Sequence, residues 1–187
     1  MKKAIARVVL KILGWQINDH PIGVKKAVVA MGPHTSNWDF VIGRLAFWNY
    51  GINATFLIKE EVFVPPFSWF LKSLGGIPVS REKHNHFTDQ AVEYFQNNET
   101  MYMLFTPEGT RKYNPNWKKG FYYIALKANV PIYLGYMDYK TKTGGFHSLF
   151  EPTGDIDKDI AFIKKELSQY QGKYPQNGIK EEVPTVE

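Results

Sequence analysis

The sequence predicts a single-domain α/β fold with a largely parallel sheet flanked by helices. Three observations carry that expectation. Short apolar runs alternate with longer segments at helical spacing, the pattern of repeated strand–helix units. Glycine or proline punctuates most of the boundaries. The length of 187 residues fits one sizeable core and is short for two.

The elements follow in order. Residues 2–13 set Ile5, Val8, Val9, Ile12 and Leu13 at helical spacing among Lys2, Lys3, Arg7 and Lys11, and Gly14 closes the segment. This basic amphipathic helix suits either docking on the protein's own core or lying on an anionic bilayer. "AVVAM", residues 27–31, reads as a buried strand bounded by Gly32 and Pro33. A helix is expected from Ser36 to Tyr50, closed by Gly51. "ATFLI" is the next strand. "VPPFSWFLKSL" is a ring-rich helix begun by its prolines, and "GGIPVSR" a short strand with a turn. Residues 85–97 form a helix, and "MYMLFTP" a strand stopped at Pro107. Residues 118–129 are helical, "PIYLGYM" is a strand, "FHSLFEP" an added strand, and residues 155–170 a last helix. From about residue 171 the chain is polar and expected to be loose. The expected organisation is a helix over 1–14, a domain over 15–172 and a polar tail over 173–187.

Hydrophobic residues make up 44% of the chain, enough for a core, and aromatic residues 16%, enough to line a ligand-facing or lipid-facing surface as well. The net charge of +5 favours an anionic partner: phosphate, nucleic acid or acidic membrane. The absence of cysteine excludes disulfides, thiolate metal sites and a cysteine nucleophile. No apolar run approaches the roughly 18 residues of a spanning helix. The charged start, broken by Lys11, does not read as a secretory signal. The "HNH" at 84–86 reads as a solvated turn, and no metal is expected.

In a parallel sheet, ligands sit at the carboxyl ends of the strands. His34 follows one strand end, Arg81 another and Glu108 a third, so three functional groups converge on one edge. In "HTSNWD", His34 and Asp39 are five residues apart. On one regular helix they would point about 140° apart. With His34 in the loop and Asp39 in the first turn they can meet, leaving one imidazole nitrogen free as a base. The bland alternative is a capping box of Ser36 and Asp39, and Asp39 can serve both ends. "FTPEGTRK" puts Glu108, Gly109, Thr110 and Arg111 just past a strand, with Gly109 allowing a tight turn. Arg81 suits a phosphate or carboxylate through its forked donors.

These blocks resemble the glycerolipid acyltransferases of the lysophosphatidate (PlsC-like) type. Four blocks match in order over roughly residues 27–138: "HTSNWD", "GGIPVSR", "FTPEGTRK" and "NVPIYLGY". The resemblance implies a mixed sheet wrapped by helices. It implies His34 as general base with Asp39 as its partner, and Arg81 on the acceptor's phosphate. Glu108, Gly109, Thr110 and Arg111 would help build the acceptor site, with Glu108 structural in one version. Implied partners are an acyl thioester donor, an acyl-CoA or acyl carrier protein, and a lysophospholipid acceptor, with an amine-bearing or other lipid acceptor as the alternative. No further cofactor and no nucleic acid are implied. The expected location is cytoplasmic, peripheral on the inner face of an anionic membrane. Pro33, Ser80, Thr106 and Lys112 depart from the family's usual residues and bear on the acceptor's identity.

The chemistry suits a chain without cysteine. A thioester is already activated by a thiol leaving group of pKa near 8.5. The ring-rich "FVPPFSWFLKSL" offers lipid access or packs on the sheet. "RKYNPNWKKG", residues 111–120, suits donor phosphates or is a solvated loop. A nucleic-acid module would explain the charge but not His34, Asp39 and "PEGTR". A silent lipid-binding relative would tolerate loss of His34. A serine hydrolase lacks its G-x-S-x-G elbow.

Overall fold

The computed structural model describes residues 1–19, 23–79 and 86–180. The strands are β1 (Gln16–Ile17), β2 (Lys26–Gly32), β3 (Ala54–Lys59), β4 (Gly76–Val79), β5 (Met101–Phe105), β6 (Ile132–Asp138) and β7 (Thr143–Phe150). The helices are α1 (Lys2–Leu13), α2 (Trp38–Tyr50), α3 (Phe67–Ser73), α4 (His86–Asn97), α5 (Gly120–Ala128) and α6 (Ile156–Ser168). Single 3₁₀ turns cover Glu60–Val62 and Pro175–Asn177.

One sheet runs in the order β1-β7-β6-β2-β5-β3-β4. β2 and β6 sit near its centre and are buried along almost their whole length, which is why they read as unbroken apolar runs. All pairings are parallel except β6 with β7. That antiparallel pair closes through a tight turn in which Asp138 accepts from Lys140 N and Thr141 Oγ1. β7 therefore starts three residues earlier than the added strand expected from sequence. β1 was not anticipated, because two residues carry no periodicity.

Helices cover both faces. α4, α5 and α6 enclose a core with Phe95, Met103, Phe121, Ile132 and Ile163. α1 and α2 enclose a second, with Leu10, Val29, Ile42, Phe47 and Tyr133. α1 buries one face and exposes the other: Ala6 and Leu10 are buried in the core, while Ile5, Val8 and Ile12 stay exposed. α3 buries none of its residues, and Trp69 is 78% exposed. Among the described residues no helix is long and apolar enough to cross a membrane.

The expected loose tail is corrected as far as residue 180. The Tyr139 N–H donates to the Gln171 carbonyl at 2.8 Å, and Tyr174 N donates to Thr35 Oγ1 at 3.2 Å. Ile179 packs against the core beside Gly32. One apolar anchor in a polar stretch carries no periodic signal, so sequence patterning overlooks it.

Candidate active site

β2 and β5 are parallel neighbours, and Ala30 pairs with Phe105. The residues following them, His34 and Glu108, therefore emerge side by side. The Glu108 carboxylate accepts the His34 backbone N–H at 2.6 Å. Arg81 follows β4 and lies outside the described residues, as do His84 and the side chain of His86.

The imidazole of His34 meets Asp39 in the first turn of α2, with Nδ1 3.0 Å from Oδ2. Asp39 is 2% exposed and His34 22%. The same Oδ2 accepts the backbone N–H groups of Thr35 and Ser36 at 2.8 and 2.9 Å. Oδ1 accepts the Tyr139 hydroxyl at 2.6 Å. Four donors thus converge on one carboxylate, about the number its lone pairs can take. Burial acts to raise the Asp39 pKa, but hydrogen bonds from His34, Tyr139 and Ser36 outweigh it and hold it below the usual range. An ionised carboxylate only accepts, so Nδ1 of His34 donates the proton. In the neutral form of the ring Nε2 then carries the lone pair, and it has no hydrogen-bond partner among the described residues. The expected Ser36–Asp39 capping box is corrected: α2 begins at Trp38 with Asn37 as its N-cap and no side-chain cap bond, so the bonds from Ser36 N to Asp39 Oδ2 at 2.9 Å and from Trp38 N to Ser36 Oγ at 3.2 Å tie down the loop before the helix.

Glu108 is buried beneath this pair. Burial pushes its carboxyl up to about 7, against the stabilising His34 N–H bond. Its buried side chain braces the loop carrying His34. Gly109 has φ +66°, a left-handed turn favouring glycine, and its N–H donates to the Thr106 carbonyl at 3.0 Å. Thr110 is exposed and accepts Lys112 N at 3.3 Å. Arg111 donates to Asn37 Oδ1 at the start of α2. The 111–120 segment commits some residues to structure: Trp117 is buried, and Lys119 pairs with Asp157 at 2.7 Å.

A cavity of ≈390 Å³ runs from His34 and Asp39 between α2 and the sheet. Its walls are mostly apolar, including Met31, Phe40, Phe47, Phe56 and Leu104. That volume lies at the small end of the ordinary ligand-pocket range. Sequence reasoning overlooked three polar residues here: Tyr139, Asn37 and Arg44. Tyr139 had a usable signal, since it follows β6, the other neighbour of β2.

The profile of the Acyltransferase family matches residues 15–134, well over half the chain. Among solved structures, the chain is similar to the 1-acyl-sn-glycerophosphate (LPA) acyltransferase PlsC from Thermotoga maritima, with a TM-score of 0.62 and 17% identity. The match covers 90% of this chain and 76% of that one. At that identity the likeness speaks for the fold. Among curated proteins, none matches the sequence.

Proposed function

The chain belongs to the Acyltransferase family, and from that premise we propose that it moves a fatty acyl group from an acyl thioester to the hydroxyl of a lysophospholipid such as 1-acyl-glycerol-3-phosphate. His34 is the general base and Asp39 its orienting partner. The observation that carries this reading is the divided imidazole: Nδ1 is pinned to a buried carboxylate, and Nε2, beside an apolar cavity, has no partner among the described residues. The acyl chain lies in that cavity. Nε2 takes the acceptor's hydroxyl proton as the oxygen bonds to the acyl carbon. The carbon–sulfur bond then breaks, and the proton passes to the departing thiolate. A positioned base of this kind is worth about 10²–10⁴ in rate. Asp39 stabilises the imidazolium formed on the way. Glu108 and Gly109 shape the loop beneath His34, and Thr110 belongs to the same acceptor-side turn.

The acceptor's phosphate is assigned to Arg81 and Arg111. Support comes from Arg111 at the start of α2, from the emergence of β4 at the same sheet edge, and from the similar protein's being an LPA acyltransferase. The donor is acyl-CoA or acyl carrier protein, and the step draws on no other cofactor. The protein docks from the cytoplasmic side on an anionic membrane through basic α1 and the exposed rings of α3. Because Ala6 and Leu10 belong to the core, the test of docking is charge removal rather than deletion. Replacing Lys2, Lys3, Arg7 and Lys11 by Gln is expected to weaken binding to anionic vesicles more than to neutral ones, as added salt does. Unchanged vesicle binding would remove α1 from the docking surface.

The test of function is acyl transfer by the purified protein to lysophosphatidate, a neutral lysolipid and an amine-bearing lipid of matched length, from both donors. Phosphatidate is the expected product. Arg111→Lys is expected to raise the KM for lysophosphatidate and leave that for the neutral acceptor unchanged. A wild-type preference for the neutral or amine acceptor would refute the phosphate assignment while leaving the His34 chemistry standing.

A further inference from the structure

The segment that follows α6 crosses back over the loop carrying His34. Gln171 fixes its start: the carbonyl accepts the Tyr139 N–H at 2.8 Å, and the N–H donates to Asp138 Oδ1 at 3.2 Å. Tyr174 N donates to Thr35 Oγ1 at 3.2 Å. Ile179 packs on Gly32, where an added Cβ would lie 3.0 Å from Ile179 Cδ1 and 3.6 Å from Glu108 Oε1. Between these anchors Gly172 is buried against Thr35: a Cβ there would lie 2.6 Å from both Thr35 Oγ1 and Thr35 Cγ2.

Thr35 stands next to the proposed base and is buried. Its N–H donates at 2.8 Å to Asp39 Oδ2, the oxygen that meets His34 Nδ1. A shift of Thr35 therefore reaches the imidazole through one peptide link and its carboxylate through one hydrogen bond. Glu108 already holds the loop by the His34 N–H. The segment adds a second hold, on Gly32 and on Thr35. Thr35 cannot turn away from a methyl group at 172. Its two γ atoms fill two of three staggered positions, and both positions are blocked, so every rotamer keeps one of them filled. Either Thr35 moves and takes its N–H with it, or the segment lifts and releases Thr35.

We propose that residues 171–180 are a strap that holds the His34–Asp39 pair in register, and that Gly172 is the positioning residue through which the strap seats Thr35. This rests on His34 being the general base, as proposed above. None of residues 171–180 lines the cavity, so the strap bears on turnover and not on holding the acyl chain. Reactive geometry tolerates little: a misplacement of about 1 Å can cost about 10²-fold in rate.

The test combines kinetics with proton NMR of the His34 Nδ1–H, assigned by its loss in His34→Gln. Gly172→Ala is expected to lower kcat by between about tenfold and 10²-fold with the KM for the acyl donor retained, and to shift that resonance. Thr35→Ala removes both blocking atoms, so Gly172→Ala combined with Thr35→Ala is expected to recover part of the rate and of the resonance. Ile132→Val, buried at the opposite end of β6 from Asp138, is expected to lower Tm and move neither. Should Gly172→Ala not fold, Ile179→Val takes its place, since it removes only the methyl seated at Gly32; a smaller loss and a smaller shift are then expected. An unmoved resonance or a wild-type kcat in the folded strap variant would overturn the proposal and keep the acyltransferase reading. Failure of the wild type to acylate any acceptor would sink that reading, and the resonance alone would then decide whether the strap seats the pair.

Discussion

His34 and His147 each hold a carboxylate at hydrogen-bond distance, 3.0 Å to Asp39 and 2.7 Å to Glu166. Their exposures are nearly equal, 22% and 23%. The difference lies in what else each ring and each carboxylate touches. His147 occupies both ring nitrogens, Nε2 on Glu166 and Nδ1 on the Tyr170 hydroxyl at 2.7 Å, and Tyr170 stacks on Tyr136. It ties β7 to α6 and the chain just beyond it. Among the described residues His34 commits one nitrogen only, and the residue adjoins the cavity. Asp39 is buried and gathers three further donors, whereas Glu166 is 28% exposed. A short histidine–carboxylate distance therefore does not identify a base. A fixed carboxylate on one nitrogen, with space at the other, is the arrangement that the proposed base needs.

The comparison can be broken at the carboxylates. Asp39→Asn is expected to lower kcat by between about 10² and 10⁴, because the amide no longer dictates which nitrogen carries the proton. Glu166→Gln is expected to leave kcat unchanged. Steady-state kinetics on both variants checks the pair, and equal losses would erase the distinction.

Glu108 sharpens it from beneath. Its folded pKa of about 7 stands above the ordinary value of 4.5. Between those values the folded chain holds a proton that the unfolded chain has released. This group's contribution to stability therefore falls as pH rises through the window, by roughly 3 kcal/mol in all. Glu108→Gln still accepts the His34 N–H and is expected to remove that slope. Denaturant titrations of both proteins from about pH 4.5 to 7 measure it; identical slopes would mean Glu108 titrates normally.

Tyr139→Phe tests the second side-chain donor on Asp39. A hydrogen bond to a charged group is worth about 1.5–3 kcal/mol, so kcat is expected to fall by about tenfold with KM retained. Tyr139 acts through Asp39, so the pH–rate profile should also move, whereas Tyr170→Phe should move neither. The smallest effect belongs to His147→Gln: a stability loss of about 1 kcal/mol in thermal melts, with full turnover.

The legible parts of this fold are those whose signal is local. β2 and β6 announced themselves as apolar runs, and α2 by its closing Gly51, whose φ is +79°. His34, Asp39 and Glu108 were legible because strand exits in a parallel sheet share an edge. Tyr139 meets Asp39 across 100 residues of sequence, and no spacing rule spans that. Ile179 closes over Gly32 from a stretch that reads as polar. Arg44 was passed over because an arginine in a helix ordinarily marks the solvent face. Its burial depends on the gap at Gly75 and on the Ala54 carbonyl, both supplied by other elements.

The most direct measurement is single-turnover acyl transfer by His34→Gln and His147→Gln, side by side with the wild type, with folding of each verified by circular dichroism. Glutamine keeps a polar side chain of similar reach but supplies no titrating ring. His34→Gln is expected to lose at least about 10² in the transfer rate, while His147→Gln transfers at the wild-type rate. Transfer by folded His34→Gln at the wild-type rate would contradict His34 as the base.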